Sequence, residues 1–295
     1  MSRMIHTGAF NTHPAGSETV SQTPSMNAMV SDEIRTTIAA ELTRIEQAYD
    51  CEVLLAVESG SRAWGFQSRD SDYDVRFVYV HRPEWYLSVD LDLRRDVIEK
   101  PITDELDISG WDIRKTLRLF AKSNPPLLEW LGSPIIYDES WDFAAQLRAL
   151  LPEYYSPARS VYHYLHMAQG NYRDYLRGDE VWLKKYLYAL RPLLAVRWLE
   201  QGRGVVPMEF VRLLDTIEDQ PALTDDIRAL VEQKTAGEEL DRGPIIPSIS
   251  SFIAKELVRY QNYKPPHTSL GNEFDSLNEL FRRILQQAWC ADDAA

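Results

Sequence analysis

The chain has 295 residues with 45 acidic against 32 basic side chains, a formal charge of −13 that argues against coating long duplex nucleic acid through a global field but leaves room for a local basic groove. Cys51 and Cys290 are too few for a disulfide framework or a cysteine zinc site and fit a reducing cytoplasm. No run of about 18 apolar residues offers a membrane span, and the first residues have no apolar core of the secretory type.

In chain order, residues 1–30 are rich in Thr, Ser, Asn, Gly and Pro and read as a disordered or loosely docked arm. Ser31 has the character of an N-cap, with Ile34, Ile38, Leu42 and Ile45 at helical spacing behind it, so a helix is expected to end near Tyr49. It leads into an apolar, β-prone run, Val53–Val57, and a second follows at Val75–Val80. Further strands are expected around Val97–Ile98, Glu105–Ile108 and Pro134–Tyr137. An amphipathic helix through Ile113, Leu117 and Phe120 is stopped by Asn124-Pro125-Pro126, and another runs through Trp141, Ala145 and Leu151. From Pro152 onward strand signals almost vanish and helical periodicity takes over. The expected division is an arm over 1–30, a mixed α/β unit over 31–151 and an all-helical unit over 152–295.

The chemistry concentrates between the first two strands, in Glu58-Ser59-Gly60-Ser61-Arg62 and the Asp72-Tyr73-Asp74 that follows. Alternate strand residues share a face, so Asp72 and Asp74 are expected side by side, an oxygen-rich site for a hard cation such as Mg²⁺ or Mn²⁺. The Gly60-Ser61 turn, at a strand's end and a helix start, offers backbone N–H groups to a phosphate. A second cluster, Lys184-Lys185-Tyr186-Leu187-Tyr188-Ala189-Leu190-Arg191, puts Lys184, Tyr188 and Arg191 on one helical stripe. That stripe suits the phosphates and base of a nucleotide. Its spacing also fits a solvated basic face, and Lys185 lies off it.

Gly60-Ser61, a spacer and Asp72-x-Asp74 resemble the signature of DNA polymerase β-type nucleotidyltransferases. Asp107-Ile108-Ser109-Gly110-Trp111-Asp112, Ser123-Asn124-Pro125 and Lys184–Ala195 extend the resemblance to predicted nucleotidyltransferases of the YcgL type. The resemblance implies an α/β (α+β) polymerase β-like domain with a small mixed sheet, then a helical domain, with the active site in the cleft between. It implies Mg²⁺-dependent transfer of a nucleoside monophosphate from a triphosphate to an acceptor hydroxyl, with release of pyrophosphate. In that scheme Asp72, Asp74 and Asp107 bind metal, and Asp107 on a neighbouring strand helps activate the acceptor; Asp104 and Asp112 are its rivals, Asp112 being better suited to capping a helix. Gly60 and Ser61 hold the triphosphate, with Arg62 preferred over Arg69 as a phosphate partner. Lys184, Tyr188 and Arg191 contact the nucleotide from the helical unit. Arg76, on the same strand face as Asp74, either meets the triphosphate or neutralises the acids. The acceptor stays open: an RNA end, a small molecule, or a protein hydroxyl as in AMPylating antitoxins. A rival of another class is a nucleotide sensor or partner-binding protein without catalysis.

Overall fold

The computed structural model describes residues 30–103, 105–237, 240–265 and 274–289. The expected arm, apart from Val30, lies outside them, as does Asp104. Helix α1 (Asp32–Tyr49) begins where the Ser31 hydroxyl accepts the Ile34 N–H at 3.3 Å, and it buries Ile38, Leu42 and Ile45. Asp50 ends it in the left-handed conformation, φ 48°, and the chain turns directly into β1 (Cys51–Glu58). A short helix, α2 (Gly60–Trp64), precedes β2 (Tyr73–His81), which pairs antiparallel with β1. Helix α3 (Pro83–Tyr86) and β3 (Val97–Glu99) lead to β4 (Leu106–Asp112), parallel to β2. Asp112 caps α4 (Ile113–Ala121) by accepting the Arg114 N–H at 2.7 Å, the role its position suggested. Asn124 likewise caps α5 (Pro125–Trp130), and β5 (Ile136–Glu139) closes the sheet against β1. The five-stranded order is β3-β4-β2-β1-β5, a small mixed sheet as expected.

Helices α6 (Phe143–Ala149) and α7 (Leu151–Tyr154) lead into the helical half. It comprises α8 (Pro157–Tyr175), β6 (Glu180–Trp182), α9 (Leu183–Glu200), α10 (Phe210–Leu213), α11 (Pro221–Thr235), β7 (Arg242–Pro244), α12 (Pro247–Tyr260) and α13 (Asp275–Trp289). The half is not purely helical. Strands β6 and β7 form an antiparallel ribbon, each too short for its alternation to register in the sequence. The ribbon sits at the start of α9, whose Leu183 and Lys184 N–H groups donate to the Asp241 and Leu240 carbonyls at 2.9 and 3.1 Å.

Alternation along β2 sorts its side chains onto two faces. Val75, Phe77 and Tyr79 pack with α1, whereas Val78 and Val80 join Phe120, Leu127 and Leu147 on the other side. A third core surrounds α9, with Leu187, Leu190, Leu193 and Leu194 fully buried. The cores do not divide at residue 151. Leu277, Leu280 and Ile284 of α13 lie in the sheet core, while Phe66 lies in the helical one. The apolar stripe of α13 has its counterpart on α4 and the sheet, so the chain's last described helix returns to the first unit. Leu280→Ala is therefore expected to destabilise the protein by about 2–5 kcal/mol. Urea unfolding should show the loss in the same transition that reports on Trp111 and Trp130, whose tilted rings have centroids 4.0 Å apart at that core.

Candidate active site

Asp74 and Asp107 are direct partners in the parallel pairing of β2 and β4, so their side chains stand on one face at neighbouring positions. A single guanidinium joins them. Arg76 Nη2 lies 3.0 Å from Asp74 Oδ1 and 2.7 Å from Asp107 Oδ2, and Arg76 Nη1 also donates to the Asp107 carbonyl at 2.9 Å. Of the two roles open to Arg76, neutralising the acids is the one it takes here. Burial raises the Asp74 carboxyl above its ordinary range; Arg76 opposes this, and Asp107 and Asp72 add to it by repulsion.

The Asp74 carboxylate rests against Gly60. A Cβ on Gly60 would lie 2.0 Å from Asp74 Oδ2, and Gly60 has φ +61°, so both the space and the backbone require glycine. The main chain of Asp74 is tied down from the same side. Its N–H donates to Glu58 Oε1 at 3.1 Å, and its carbonyl accepts the Ser59 N–H at 2.8 Å. Glu58 is fully buried and also accepts the Tyr137 hydroxyl at 2.5 Å. Burial pushes its carboxyl up to about 7, against the hydrogen bonds from Tyr137 and Asp74 and the nearby Arg62. Nothing in the sequence distinguishes Glu58 from a polar strand end; only the closure of β1, β2 and β5 around it makes it an anchor.

A cleft of about 410 Å³ opens in front of these groups, with Asp72, Asp74 and Ser61 on one wall and Lys184, Lys185 and Tyr188 on the other. Lys234 of α11 also faces it, as do Ser68 and Ser71. Ser61 Oγ donates to Ser71 Oγ at 3.3 Å, and the Ser68 and Ser71 hydroxyls are 3.0 Å apart. None of the three lysines forms an ion pair among the described residues, while burial, followed by the charge of Lys184, lowers both Lys185 and Lys234.

Three expected residues stand elsewhere. Arg62 is buried and turned inward: its Nη2 donates to the Ser71 carbonyl at 2.8 Å, and its guanidinium lies 3.9 Å from the Tyr73 ring centre. It braces the loop instead of presenting charge to a phosphate. Arg191 is 2% exposed, paired with Glu129 at 2.7 Å and set against the Trp64 ring at 4.5 Å. Its helical stripe does contain Lys184 and Tyr188, but two turns farther on that stripe enters the core. Asp107 stands beside Asp74 but does not border the cleft, being held by Arg76. Lys185, placed off the stripe by spacing, nonetheless borders the cleft, set over the Tyr175 ring of α8 and the Tyr188 ring of α9. Lys234 carried no signal beyond a polar position near the end of a helix.

The chain matches the RlaP family, described as the RNA repair pathway DNA polymerase beta family, over residues 34–283. It belongs to that family. It is therefore a polymerase β-type nucleotidyltransferase by descent, as the signature implied. The protein YcgL of Bacillus subtilis (strain 168), whose name marks it as uncharacterized, is 50% identical over 253 residues, 85% of this chain and 96% of its own length. A nucleotidyltransferase-like protein from Exiguobacterium sibiricum 255-15, known from a crystal structure, aligns with 16% identity over 86% of this chain and 92% of its own, at a TM-score of 0.30.

The donor set suits a hard divalent cation. Asp72 and Asp74 supply carboxylate oxygens at the cleft wall, and their mutual repulsion with Asp107 favours an added positive charge. Among the described residues no three His, Cys, Asp or Glu side chains converge as a ready ligand set. Two protein carboxylates leave positions for phosphate oxygens and water, the usual manner of holding Mg²⁺.

Two outcomes follow. Gly60→Ala is expected to cost about 1–2 kcal/mol from backbone strain alone, whereas Gly170→Ala, on α8 with nothing within 4 Å of its Cβ, is expected to stabilise by up to about 1 kcal/mol. Chemical denaturation of both variants checks the contrast. Glu58, raised in the folded state from 4.5 to about 7, takes up a proton on the native side first. Metal-free stability is thus expected to fall as pH rises from about 4.5 to about 7, and Glu58→Gln should remove up to about 3 kcal/mol of that slope in melts across the range.

Proposed function

We propose that the protein transfers a nucleoside monophosphate from a nucleoside triphosphate to an acceptor hydroxyl, with release of pyrophosphate, and that the acceptor is an RNA end. One observation carries the reading: carboxylates Asp72 and Asp74 share a single cleft with Lys184, Lys185 and Lys234, none of which has an ion-pair partner among the described residues. A polyanion would meet the lysines directly and the two carboxylates through a cation that they would hold. The family's description as an RNA repair pathway group supports the choice of RNA.

In this reading Asp72 and Asp74 would hold Mg²⁺ or Mn²⁺, which would supply positive charge against the phosphates. Ser61 and the Gly60 backbone receive the β- and γ-phosphates, and the three lysines screen them from the opposite wall. The acceptor oxygen bonds to the α-phosphorus as the bond to the bridging oxygen breaks, and pyrophosphate leaves. Asp107, the strand partner of Asp74, takes the acceptor's proton in this scheme, and it becomes free to do so only when Arg76 releases it. Tyr188 is packed edge-on against Trp64 and Phe66, at centroid distances of 5.6 and 6.5 Å, and borders the nucleotide as a fixed wall.

A second reading is favoured by the bridge from Arg76 to Asp74 and Asp107. A third acid held in an ion pair by a resident arginine suits a protein that binds nucleotide without transferring it. Incubation with α-³²P-labelled triphosphates and Mg²⁺ or Mn²⁺, with short RNA, metabolite extract and protein offered as separate acceptors, distinguishes the two. Transfer to RNA, reduced about 10²-fold or more in Asp72→Asn or Asp74→Asn, is the expected result. Metal-dependent binding without label on any acceptor would establish the second reading, and label on protein or a small molecule would reassign the acceptor.

A further inference from the structure

We infer that the β6–β7 ribbon and the adjoining end of α8 seat a single-stranded polyribonucleotide whose terminus enters the cleft. The inference rests on the nucleotidyl-transfer reading for the identity of the cleft, but the surface itself is defined by geometry outside it. Trp182 of β6 and Arg242 of β7 are directly paired and so share a face of the ribbon. The Arg242 guanidinium lies 5.7 Å from the Trp182 ring centre, and Lys184 Nζ lies at the same distance. One turn away, Lys185 Nζ is 4.5 Å from the Tyr175 ring and 4.9 Å from that of Tyr188. Lys184 and Lys185 border the cleft, whereas Trp182, Tyr175 and Arg242 do not. The lysine pair thus links the interior of the cleft to rings on its outer lip.

These groups are available. Tyr175 is 39% exposed, Trp182 is part-exposed, and neither Lys184, Lys185 nor Arg242 has an ion-pair partner among the described residues. Other basic residues of this acidic chain, such as Arg173, Arg197 and Arg259, do have carboxylate partners. Glu180 shares the ribbon face at its far end, opposite Pro244. Past the ribbon lies a separate shallow groove of about 610 Å³ bordered by Tyr172, Arg177, Ile245 and Pro247, with Arg177 set 5.9 Å from the Tyr172 ring. Rings alternating with cations from the cleft to the groove match a strand whose bases stack on side chains and whose phosphates meet the cations. A duplex has no unstacked base faces to offer, and the net charge of −13 disfavours wrapping one.

The test uses the full chain and a 5′-fluorescein-labelled single-stranded RNA of about 12 nucleotides, without metal or triphosphate, in anisotropy titrations at several salt concentrations. A fluorescent ATP analogue with Mg²⁺ is titrated in parallel. Trp182→Leu is expected to weaken RNA binding about tenfold, and Trp182→Phe to retain most of it. Arg242→Gln should reduce the salt slope by about one, and affinity for the ATP analogue should stay unchanged in all three. Arg242 is exposed, so its variant decides the matter should Trp182→Leu fail to fold. Undiminished RNA binding in both variants, no RNA binding by the parent, or equal affinity for duplex would overturn the inference. Parallel loss of RNA and ATP analogue would overturn it too, placing the nucleotide's own base on Trp182. Failure of label transfer with the RNA-binding pattern intact would overturn the catalytic reading alone.

Discussion

Two carboxylates on adjacent positions of paired parallel strands repel each other, and the candidate site depends on how that repulsion is met. Here Arg76 bridges Asp74 and Asp107 from two residues along the same strand face. The register of β2 makes this possible. A slip of one residue would carry Asp74 and Arg76 into the α1 core and expose Val75 and Phe77 instead. Gly60 and buried Glu58 hold the same strand end from the side, one by its missing side chain and the other by accepting the Asp74 N–H. The acids are thus placed by a rigid frame, and the Arg76 side chain is the part of it that can move.

The opposite wall is positioned by burial. Helix α9 is enclosed by the helical core over most of its length, and only its first turns reach the cleft. Arg191 shows why the cleft ends where it does. Its charge is met by Glu129 of α5, whose Oε1 also accepts the Tyr164 hydroxyl, so an ion pair and a hydrogen bond tie three helices across the junction of the two halves. Removing either partner of a pair so deeply buried would strand a charge, which couples the geometry of the junction to the stability of the whole. Phe66 in the helical core and α13 in the sheet core complete the tie.

Charges across the cleft differ between its walls: Asp70, Asp72 and Asp74 border it from the sheet side, and Lys184, Lys185 and Lys234 from the helical side, where Asp241 is the one carboxylate among the described lining residues. Partial burial, followed by the charge of Lys184, lowers Lys185 and Lys234, a cost that an anion between the walls would relieve. Two lysines carry this wall to an outer lip of rings and cations, so the cleft is continuous with a surface of similar chemistry.

Much of this was legible in the residues themselves. Local signals act over a few positions, and those succeeded: Ser31 and Asp112 as caps, Asn124-Pro125-Pro126 as the stop after α4, the strands around Gly60 and Asp74, and the pairing partner Asp107. The family signature named the chemistry for the same reason, since its residues lie close together in the chain. The sequence could not decide which cations face the cleft. Arg62, Arg191, Lys185 and Lys234 have similar local contexts, and whether each meets solvent or core depends on helices packed against it from distant parts of the chain. The three-residue strands β6 and β7 are too short to carry a pattern and exist through their pairing. The return of α13 to the sheet needs the complementary face of α4, more than 150 residues earlier, to be known. Spacing along the chain determined the elements and the acidic motif; packing between elements decided which charges the site keeps, because burial and ion pairing are set by what lies across a contact and not by what lies beside it in sequence.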